Sequence, residues 1–465
     1  MNLKICDMAM AGGKSTAILH ELNNNPAVRH LIIVPYLDEI DRFVLNTNCV
    51  APDDKKGTKS KDIKKLIEEE HTNIVCAHAL FELFDDDVLV ALKDRHYNII
   101  TDEIPNLIDI EFLKENENND IKYLIKESKI SIDPENYNQI NWIAKEAAKT
   151  STETFISDKL KYNEIYYLKL KDKTAIIRMI KSEIFSVFDS VMVCTYRFDN
   201  SMLDYYCQLH KIDIENYYIS QSDNTITLKS NDGEYTINDR VFIKGIEKFN
   251  YPKSVDRIDI DFADKFIAKI ETEYDTWLGH NYYKNNIKST KINGVYKYEL
   301  NSVLNNIKKS ANNYVQAVKR KTSKKSDSVM WTCFGSKDKN KQEENYKYAM
   351  VGQDLLVKNF IPCNTVASND YRDCNIVVCL CGVFLNPYIC NFFNNNNIKV
   401  DERSYTLSMF LQLLWRSNLR VENSTEKVYV YIASPELRKI FKEWLIDFYT
   451  DDIIYNVLKL KFDTK

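Results

Sequence analysis

The stretch from Ala9 to Thr16 constrains the fold most, because it combines closely spaced glycines with a lysine and two hydroxyls directly behind the apolar segment 3–6. Gly12 and Gly13 are adjacent in a chain with only 10 glycines in 465 residues. Glycines let backbone N–H groups approach a phosphate, which a Cβ would obstruct. A following lysine neutralises phosphate charge, and a hydroxyl binds Mg²⁺. The pattern predicts a phosphate-binding loop between a strand and a helix, with these contact residues: Ala11, Gly12, Gly13, Lys14, Ser15 and Thr16.

Met8 stands where the full G-x-x-x-x-G-K-[ST] pattern has its first glycine. The alternative interpretation of this stretch is an ordinary Gly-Gly turn before a surface lysine.

Composition indicates an ordinary folded protein with 44% hydrophobic and 28% charged residues, enough to form two to four cores. The net charge of −4 gives no general attraction to nucleic acid, so binding of that kind would need a local basic groove. No window approaches the roughly 18 apolar residues that span a bilayer. The 11 cysteines favour reduced thiols in a chain of this length. We therefore expect a cytoplasmic protein, in the host cytoplasm if it is viral, with no membrane partner.

Apolar runs alternate with helical stretches, which is typical of an α/β fold with parallel sheets. Predicted strands cover 3–6, 31–35, 73–77, 97–101, 191–195, 328–334, 375–380 and 427–432, and predicted helices include 15–22, 405–418 and 435–448. The predicted organisation is a first lobe over 1–205 with a mostly helical insertion over 113–175, a connector or insertion over 206–325 that is irregular or helical, and a second lobe over 326–465.

An acidic pair, Asp102-Glu103, follows the predicted strand 97–101. Hydrolysis of a nucleotide in a phosphate-loop protein needs one carboxylate to organise Mg²⁺ and another to polarise the attacking water. We assign Ser15 and Asp102 as the metal ligands and Glu103 as the base. The alternative is a plain helix N-cap.

Near the other end, Gln412, Arg416 and Arg420 are spaced at i, i+4 and i+8, which predicts one face of a helix. Arginines on such a face can stabilise charge on a γ-phosphate. The alternative is a solvated basic face of an amphipathic helix.

Taken in chain order, these three segments resemble motifs I, II and VI of superfamily 2 DEAD/DEAH-like helicases, particularly the divergent members from bacteriophages. Four further segments resemble motifs Ia, III, IV and V, and they are 33–36, 194–196, 330–334 and 362–372. The sequence departs from the motifs in several places: Met8 and Ala11 stand where glycines are common, Ile104-Pro105 follows the acidic pair, Trp415 replaces a glycine, and Arg420 falls one residue late.

The resemblance implies two RecA-like lobes that bind ATP and Mg²⁺ and hydrolyse ATP in the cleft between them. It implies contacts to single-stranded or duplex DNA, with RNA as the alternative, from Pro35, Tyr36, His78, Thr195, Ser368 and Asn369. A role in phage DNA replication or recombination, with a loading or replication partner protein, follows from the same resemblance. The alternative interpretation of His78 is a structural histidine.

A second nucleic-acid surface is predicted from the basic run 319–325 with the aromatic residues Tyr314 and Trp331. A flexible, solvated linker is the alternative for the basic run.

Two other functions fit part of the pattern. A DNA-packaging terminase-type ATPase shares the phosphate loop and the acidic pair, but the C-terminal segment shows no carboxylate-rich nuclease. A nucleotide-binding regulatory module without turnover would explain the departures from motifs I and VI.

Overall fold

The computed structural model divides the chain into two compact units. The first contains Met1–Met8, Gly13–Asp232 and Asn386–Asp401, and the second contains Ala9–Gly12, Gly233–Leu385 and Glu402–Lys465. The residues that the structure describes are 2–7, 13–35, 37–53, 58–103, 105–146, 148, 150–169, 173–222, 225–230, 253–268, 278–293, 295–335, 345–363, 370–421 and 424–446.

Helices and strands alternate along much of the described chain. The strands are β1 Asn2–Asp7, β2 His30–Val34, β3 Asn73–Ala77, β4 Asn98–Asp102, β5 Ile108–Phe112, β6 Ile130–Asp133, β7 Gln139–Trp142, β8 Asn163–Lys169, β9 Thr174–Ile180, β10 Val191–Thr195, β11 Asp213–Ser222, β12 Thr225–Ser230, β13 Ile258–Asp259, β14 Ile287–Ile292, β15 Val295–Leu300, β16 Val329–Thr332, β17 Ile376–Cys379 and β18 Val428–Ile432. The helices are α1 Lys14–Asn24, α2 Leu37–Asn46, α3 Lys59–Glu68, α4 His78–Phe81, α5 Asp86–Asp94, α6 Glu115–Lys126, α7 Ser151–Tyr162, α8 Met202–His210, α9 Asp264–Ile267, α10 His280–Asn286, α11 Ser302–Thr322, α12 Lys347–Met350, α13 Pro387–Asn395, α14 Glu402–Leu414 and α15 over 435–446. Short 3₁₀ segments cover Ser182–Val187, Lys253–Arg257, Asp261–Ala263, Ser326–Ser328, Val357–Asn359 and Asn418–Arg420.

The first unit is built on a sheet with the strand order β12-β11-β1-β10-β4-β2-β3. Its pairings are parallel except for the edge pair β11–β12. Strands buried on both faces need continuous apolar residues, and all residues of β2 and of β10 are buried. This is why the apolar runs predicted β1, β2, β3, β4 and β10 to within one residue at each end, whereas β11 and β12 were not predicted.

The region between β4 and β10 forms a separate antiparallel sheet with the order β5-β9-β8-β7-β6. Its core includes Ile165 and Ile176 from the strands and Ile121 and Leu124 from α6. The prediction of a mostly helical insertion over 113–175 is therefore wrong. The β-branched and aromatic residues of β8 and β9 favour strands, but the charged residues around them conceal the pattern.

Residues from late in the chain complete the first unit. The ring of Phe392 on α13 lies 4.7 Å from that of Tyr166, and the ring of Phe393 lies 5.4 Å from that of Tyr205. The Tyr205 hydroxyl also accepts a hydrogen bond from the Asp401 backbone N–H at 2.7 Å. Aromatic packing therefore holds the segment Asn386–Asp401 in this unit.

The second unit contains a parallel sheet with the order β13-β18-β17-β16. The 21-residue helix α11 supplies a buried face to its core, from Leu304 through Ala311 to Val318. These positions repeat at helical spacing, so one apolar stripe packs against the sheet while the other face stays polar. Parallel sheets in both units confirm the predicted α/β class. In the part of the chain that the structure describes, no helix is long and apolar enough to cross a membrane.

Residues 206–325, predicted as a connector, contain β11, which pairs with β1, and α11, which lies in the core of the second unit. The lobe boundaries drawn from the sequence stay a prediction.

A buried arginine ties two distant segments of the second unit together. Arg257 donates to the side-chain oxygen of Asn418 at 2.8 Å and to the backbone oxygens of Asn418 and Leu419 at 2.9 and 3.1 Å. It also reaches the carbonyl oxygens of Val421 and Glu426. Burial lowers the pKa of Arg257, and the nearby Glu426 carboxylate opposes this shift.

We expect Arg257→Ala to lower the free energy of unfolding of the second unit by about 3 kcal/mol, because several buried acceptors lose a charged donor together. Urea unfolding followed by tryptophan fluorescence measures this, since the buried Trp331 and Trp415 belong to the second unit. Arg320→Ala, at an exposed position of α11, is the matched control and should shift the free energy by less than about 0.5 kcal/mol. Equal midpoints for the two variants would contradict the anchoring role.

Candidate functional site

The candidate site is built on three neighbouring parallel strands, β1, β10 and β4. In their register, Asp7 lies opposite Thr195 and Cys194 lies opposite Asp102. Parallel strands end at the same edge of a sheet, so residues far apart in sequence meet there. The segments that resemble motifs I, III and II, which follow or end β1, β10 and β4, therefore lie side by side at one edge of the sheet.

The described part of the phosphate loop has the backbone that the sequence predicts. Gly13 has φ 88°, a left-handed conformation that favours glycine, and α1 begins at Lys14. The Gly13 carbonyl accepts the first helical hydrogen bond from the Ala17 N–H at 2.8 Å. Ala11 and Gly12 lie outside the described residues. The helix start thus places Lys14 and Ser15 at the carboxyl edge of the sheet.

One short hydrogen bond joins the loop to the acidic pair. The Ser15 hydroxyl donates to Asp102 Oδ2 at 2.6 Å, across 87 positions of sequence. Lys14 and Asp102 are each only 7% exposed. A hydroxyl and a carboxylate oxygen at this distance are ligands that Mg²⁺ prefers, directly or through water. Ser15 and Asp102 are therefore the residues that could hold the metal, and Lys14 is placed to neutralise a phosphate.

Thr16 is held by the second helix. Its hydroxyl oxygen accepts a hydrogen bond from the Arg42 guanidinium at 3.4 Å. Arg42 also forms an ion pair with Glu39 at 3.6 Å. Sequence reasoning did not single out Arg42, and no motif pattern marks it.

Glu103 lies just beyond the end of β4, where the chain turns. Its backbone N–H still donates to the Cys194 carbonyl at 2.9 Å, but its φ is 67°. A left-handed conformation is uncommon outside glycine and turns the chain sharply. The turn separates the Glu103 side chain, which is partly exposed, from the buried Asp102. The two carboxylates therefore occupy different environments, as a metal ligand and a base require.

His78 lies behind the acidic pair. It is hydrogen-bonded to the Asp102 backbone, and its Nε2 atom is buried with no hydrogen-bond partner among the residues that the structure describes. Burial lowers the pKa of His78 to about 4. A neutral ring then supports the end of β4 without adding a charge. The contact of His78 with nucleic acid stays a prediction.

Asp7 is a residue that sequence reasoning missed. Its two carboxylate oxygens accept the backbone N–H groups of Arg197 at 2.8 Å and Phe198 at 3.0 Å. Arg197 has φ 59°, so the loop after β10 turns where Asp7 holds it. An acidic residue at the end of the first predicted strand was the available signal.

Two thiols lie beneath the charged groups. Burial and a hydrogen bond with Cys6 raise the pKa of Cys194, with a smaller contribution of the same sign from Asp102, whereas Lys14 acts in the opposite direction. Both cysteines are 0% exposed. The buried Cys194 thiol beside Lys14 and Asp102 is therefore kept neutral.

The arginine segment of the second unit does not form the predicted helical face. Helix α14 ends at Leu414, and Arg420 lies in the 3₁₀ segment Asn418–Arg420. The Ser417 hydroxyl donates to the Leu414 carbonyl at 2.6 Å, and the Asn418 N–H donates to the Cys374 carbonyl at 2.9 Å. These bonds draw the chain out of the helix. The helix predicted over 405–418 is therefore present only as far as Leu414, and the prediction that Gln412, Arg416 and Arg420 share one helical face is wrong.

Arg416 is 4% exposed, which also excludes the solvated basic face. Burial raises the pKa of Tyr371, and the Arg416 cation acts in the opposite direction. The structure thus brings Arg416 close to Tyr371, in the segment that resembles motif V. Gln412 and Arg420 are partly exposed.

The predicted nucleic-acid residues have different fates. Pro35 follows β2 and is partly exposed, whereas Thr195 at the end of β10 is 1% exposed. Tyr36, Ser368 and Asn369 lie outside the described residues. The roles of all these residues in binding stay predictions.

The second predicted nucleic-acid surface is corrected by the structure. Tyr314 and Trp331 are both 0% exposed, so neither ring can stack on a base. The linker alternative for the basic run is also wrong, because α11 continues to Thr322. Lys319 forms an ion pair with Asp354 at 2.6 Å, and Lys324 forms one with Glu426. Lys321 also forms an ion pair with Asp259 at 4.0 Å. The aromatic residues therefore belong to the core, and three of the cations are engaged in ion pairs within the second unit.

Comparison with known proteins agrees with an α/β second unit. Residues 265–445 match a family model described as the YonV C-terminal Rossmann-like domain. The SPbeta prophage-derived uncharacterized protein YonV of Bacillus subtilis (strain 168) is 25% identical over 463 residues, which cover 95% of this chain and 98% of the relative. The structure of S. tokodaii Xpd4 aligns over 95% of this chain and 94% of its own, with a TM-score of 0.38 and 10% identity. The Rossmann-like description fits the parallel sheet of β16, β17 and β18.

We predict that His78 makes the first unit sensitive to acid. An unfolded histidine takes up a proton near pH 6.5, but the folded chain resists until about pH 4, so folding loses stability as the pH falls between these values. The expected loss from this residue is about 2 kcal/mol between pH 7 and pH 5. Unfolding by urea at both pH values, followed by circular dichroism, should show a smaller loss for His78→Gln than for the native chain. His96→Gln, at a side chain 75% exposed, is the control and should behave like the native chain. Equal losses for all three proteins would contradict the prediction.

Proposed function

We propose that this protein is a nucleic-acid-dependent ATPase of the helicase or translocase type. The observation that carries the proposal is the Ser15–Asp102 hydrogen bond of 2.6 Å at the start of α1. It places the hydroxyl of a phosphate loop against the carboxylate of an acidic pair. These are the groups that ATP hydrolysis by a phosphate-loop protein needs together.

The residues of the first unit divide the work. Lys14 and the backbone beside Gly13 would bind the β- and γ-phosphates, and Ser15 and Asp102 would hold Mg²⁺. The metal, when bound, neutralises charge on the phosphates. Glu103, partly exposed just beyond the end of β4, would accept the proton of the attacking water. His78 and Asp7 keep the two loops in place from below.

In the second unit, the resemblance to motif VI assigns Gln412, Arg416 and Arg420 to the γ-phosphate. Its resemblance to motif V, near Tyr371, supports coupling of hydrolysis to a nucleic-acid strand. The similarity to a prophage-derived relative fits the proposed role in phage DNA replication or recombination.

We predict that Lys14→Ala and Glu103→Gln each lower kcat for ATP hydrolysis by at least about 100-fold, because one loses phosphate charge neutralisation and the other loses the base. A fluorescent ATP analogue separates the two effects. Lys14→Ala should bind it weakly, whereas Glu103→Gln should bind it as the native protein does. Lys93→Ala and Glu115→Gln, at exposed helix positions, are the matched controls. Native turnover in Glu103→Gln would remove its role as base.

For the arginines, we expect Arg416→Ala to lose about 100-fold or more of the ATPase rate measured with saturating single-stranded DNA. Arg320→Ala should retain it. The folded state of Arg416→Ala is checked by its urea midpoint, since Arg416 is buried. A native protein that binds ATP but hydrolyses it slowly, with no response to DNA or RNA, would replace the motor by a nucleotide switch.

A further inference from the structure

The hairpin of β14 and β15 is an element of the second unit that the ATPase site does not use. Its strands pair antiparallel from Ile287 opposite Leu300 to Ile292 opposite Val295. Ile287 is 7% exposed and belongs to the core, whereas Val295 is 65% exposed. The hairpin is therefore anchored at one end and projects from the core at the other.

One face of the hairpin carries two tyrosines. Tyr296 and Tyr298 alternate along β15, so both point to the same face. Their ring centroids lie 6.5 Å apart with an interplanar angle of 28°. The Lys291 ammonium, opposite Tyr296 in the register, lies 5.3 Å from the centre of that ring.

A third tyrosine extends this face from another element. Tyr348 on α12 is 47% exposed, and the Lys347 ammonium lies 5.0 Å from its ring centre. Burial raises the pKa of Tyr298, and the neighbouring hydroxyls of Tyr348 and Tyr296 add to the shift. We call this group the tyrosine platform, and it consists of Tyr296, Tyr298, Tyr348, Lys291 and Lys347.

Packing against the core accounts for only part of the tyrosine platform. Tyr298 packs partly against the core, which explains its presence structurally. Tyr348 is exposed and Tyr296 is partly exposed, and a lysine ammonium lies near each of their rings. Lys288, Lys297 and Glu299 alternate onto the opposite face of the hairpin, so Lys291 and Lys347 are the cations beside the tyrosine rings. This local charge is positive in a chain with a net charge of −4.

We propose that the tyrosine platform stacks the bases of a single-stranded nucleic acid, with Lys291 and Lys347 contacting its phosphates. Aromatic rings stack on any base, and nearby cations follow the backbone, so binding of this kind needs little sequence preference. A duplex does not present its base faces, so it would gain no stacking. That ATP hydrolysis acts on the strand bound at the platform rests on the proposed function. Binding of a single strand to the platform does not.

The first test is the binding of fluorescein-labelled oligothymidylate and oligouridylate to the full chain, measured by fluorescence anisotropy. Tyr296→Ala and Tyr348→Ala should each weaken binding about 10-fold. Tyr296→Phe and Tyr348→Phe should bind like the native protein, because the rings remain. Tyr123→Ala, at a tyrosine 52% exposed on α6, is the matched control and should have no effect. The oligouridylate arm tells RNA from DNA.

Lys291→Gln should reduce the slope of log Kd against log salt by about 0.7, the value for one phosphate contact in a single strand. The tyrosine changes should not weaken the binding of a duplex of the same length. Urea midpoints of all variants separate loss of binding from loss of folding.

Photocrosslinking gives a positive readout. An oligonucleotide with 5-iododeoxyuridine should crosslink to Tyr296, Tyr298 or Tyr348, as mapped by mass spectrometry. Crosslinks confined to other residues, with native binding by Tyr296→Ala and Tyr348→Ala, would overturn the proposal. So would a native chain that binds no single strand, and the platform would then be a surface for another class of partner.

The two proposals fail separately. Tyr348→Ala should leave ATP hydrolysis without nucleic acid unchanged and should raise the DNA concentration needed for stimulation. If DNA stimulates hydrolysis equally in this variant and in the native chain, the platform proposal is contradicted and the ATPase proposal stands. If the chain binds a single strand through the platform but does not hydrolyse ATP, the ATPase proposal is contradicted and the platform proposal stands.

Discussion

The parallel pairing of β1 with β10, and of β10 with β4, is the constraint on which the candidate site depends. Ladder hydrogen bonds fix the strand ends to within a residue, so Asp7 faces Thr195 and Cys194 faces Asp102. Only then does Ser15, at the start of α1, reach Asp102. Hydrogen bonds fix the backbone where two of these strands end. The Asp7 carboxylate binds the loop after β10, and the His78 ring binds the Asp102 backbone.

Electrostatics gives this arrangement its chemical character. Lys14 and Asp102 are almost fully buried, and two groups beside them are neutral. A hydrogen bond with Cys6 and burial raise the pKa of Cys194, and burial lowers the pKa of His78. Opposite charges in a poorly hydrated setting interact more strongly than they would in water. The proposed ATPase would need charges arranged in this way before a phosphate and a divalent cation bind.

In the second unit, the position of a cation decides its role. Arg257 and Lys319 are engaged by buried or partly buried oxygens and hold segments of the fold together. Lys291 and Lys347 instead lie beside tyrosine rings near the surface, where a ligand can reach both. Because of this difference, the hairpin rather than the basic run 319–325 is the surface that we propose for a single strand.

The sequence by itself determined the α/β class and most strands of the two parallel sheets, because buried parallel strands need continuous apolar runs. It did not predict β11, β12 or β13, and its phosphate loop stays a prediction. Local pattern did not predict the antiparallel sheet between β5 and β9, whose strands are short and set among charged residues. Nor did it predict the end of α14 at Leu414, since bonds from Ser417 and Asn418 to other parts of the chain override helical spacing. Tertiary structure alone decided that Tyr314 and Trp331 are buried and that Tyr296 and Tyr348 reach solvent. The physical reason is that exposure depends on which surfaces pack together, and no local spacing of residues specifies that.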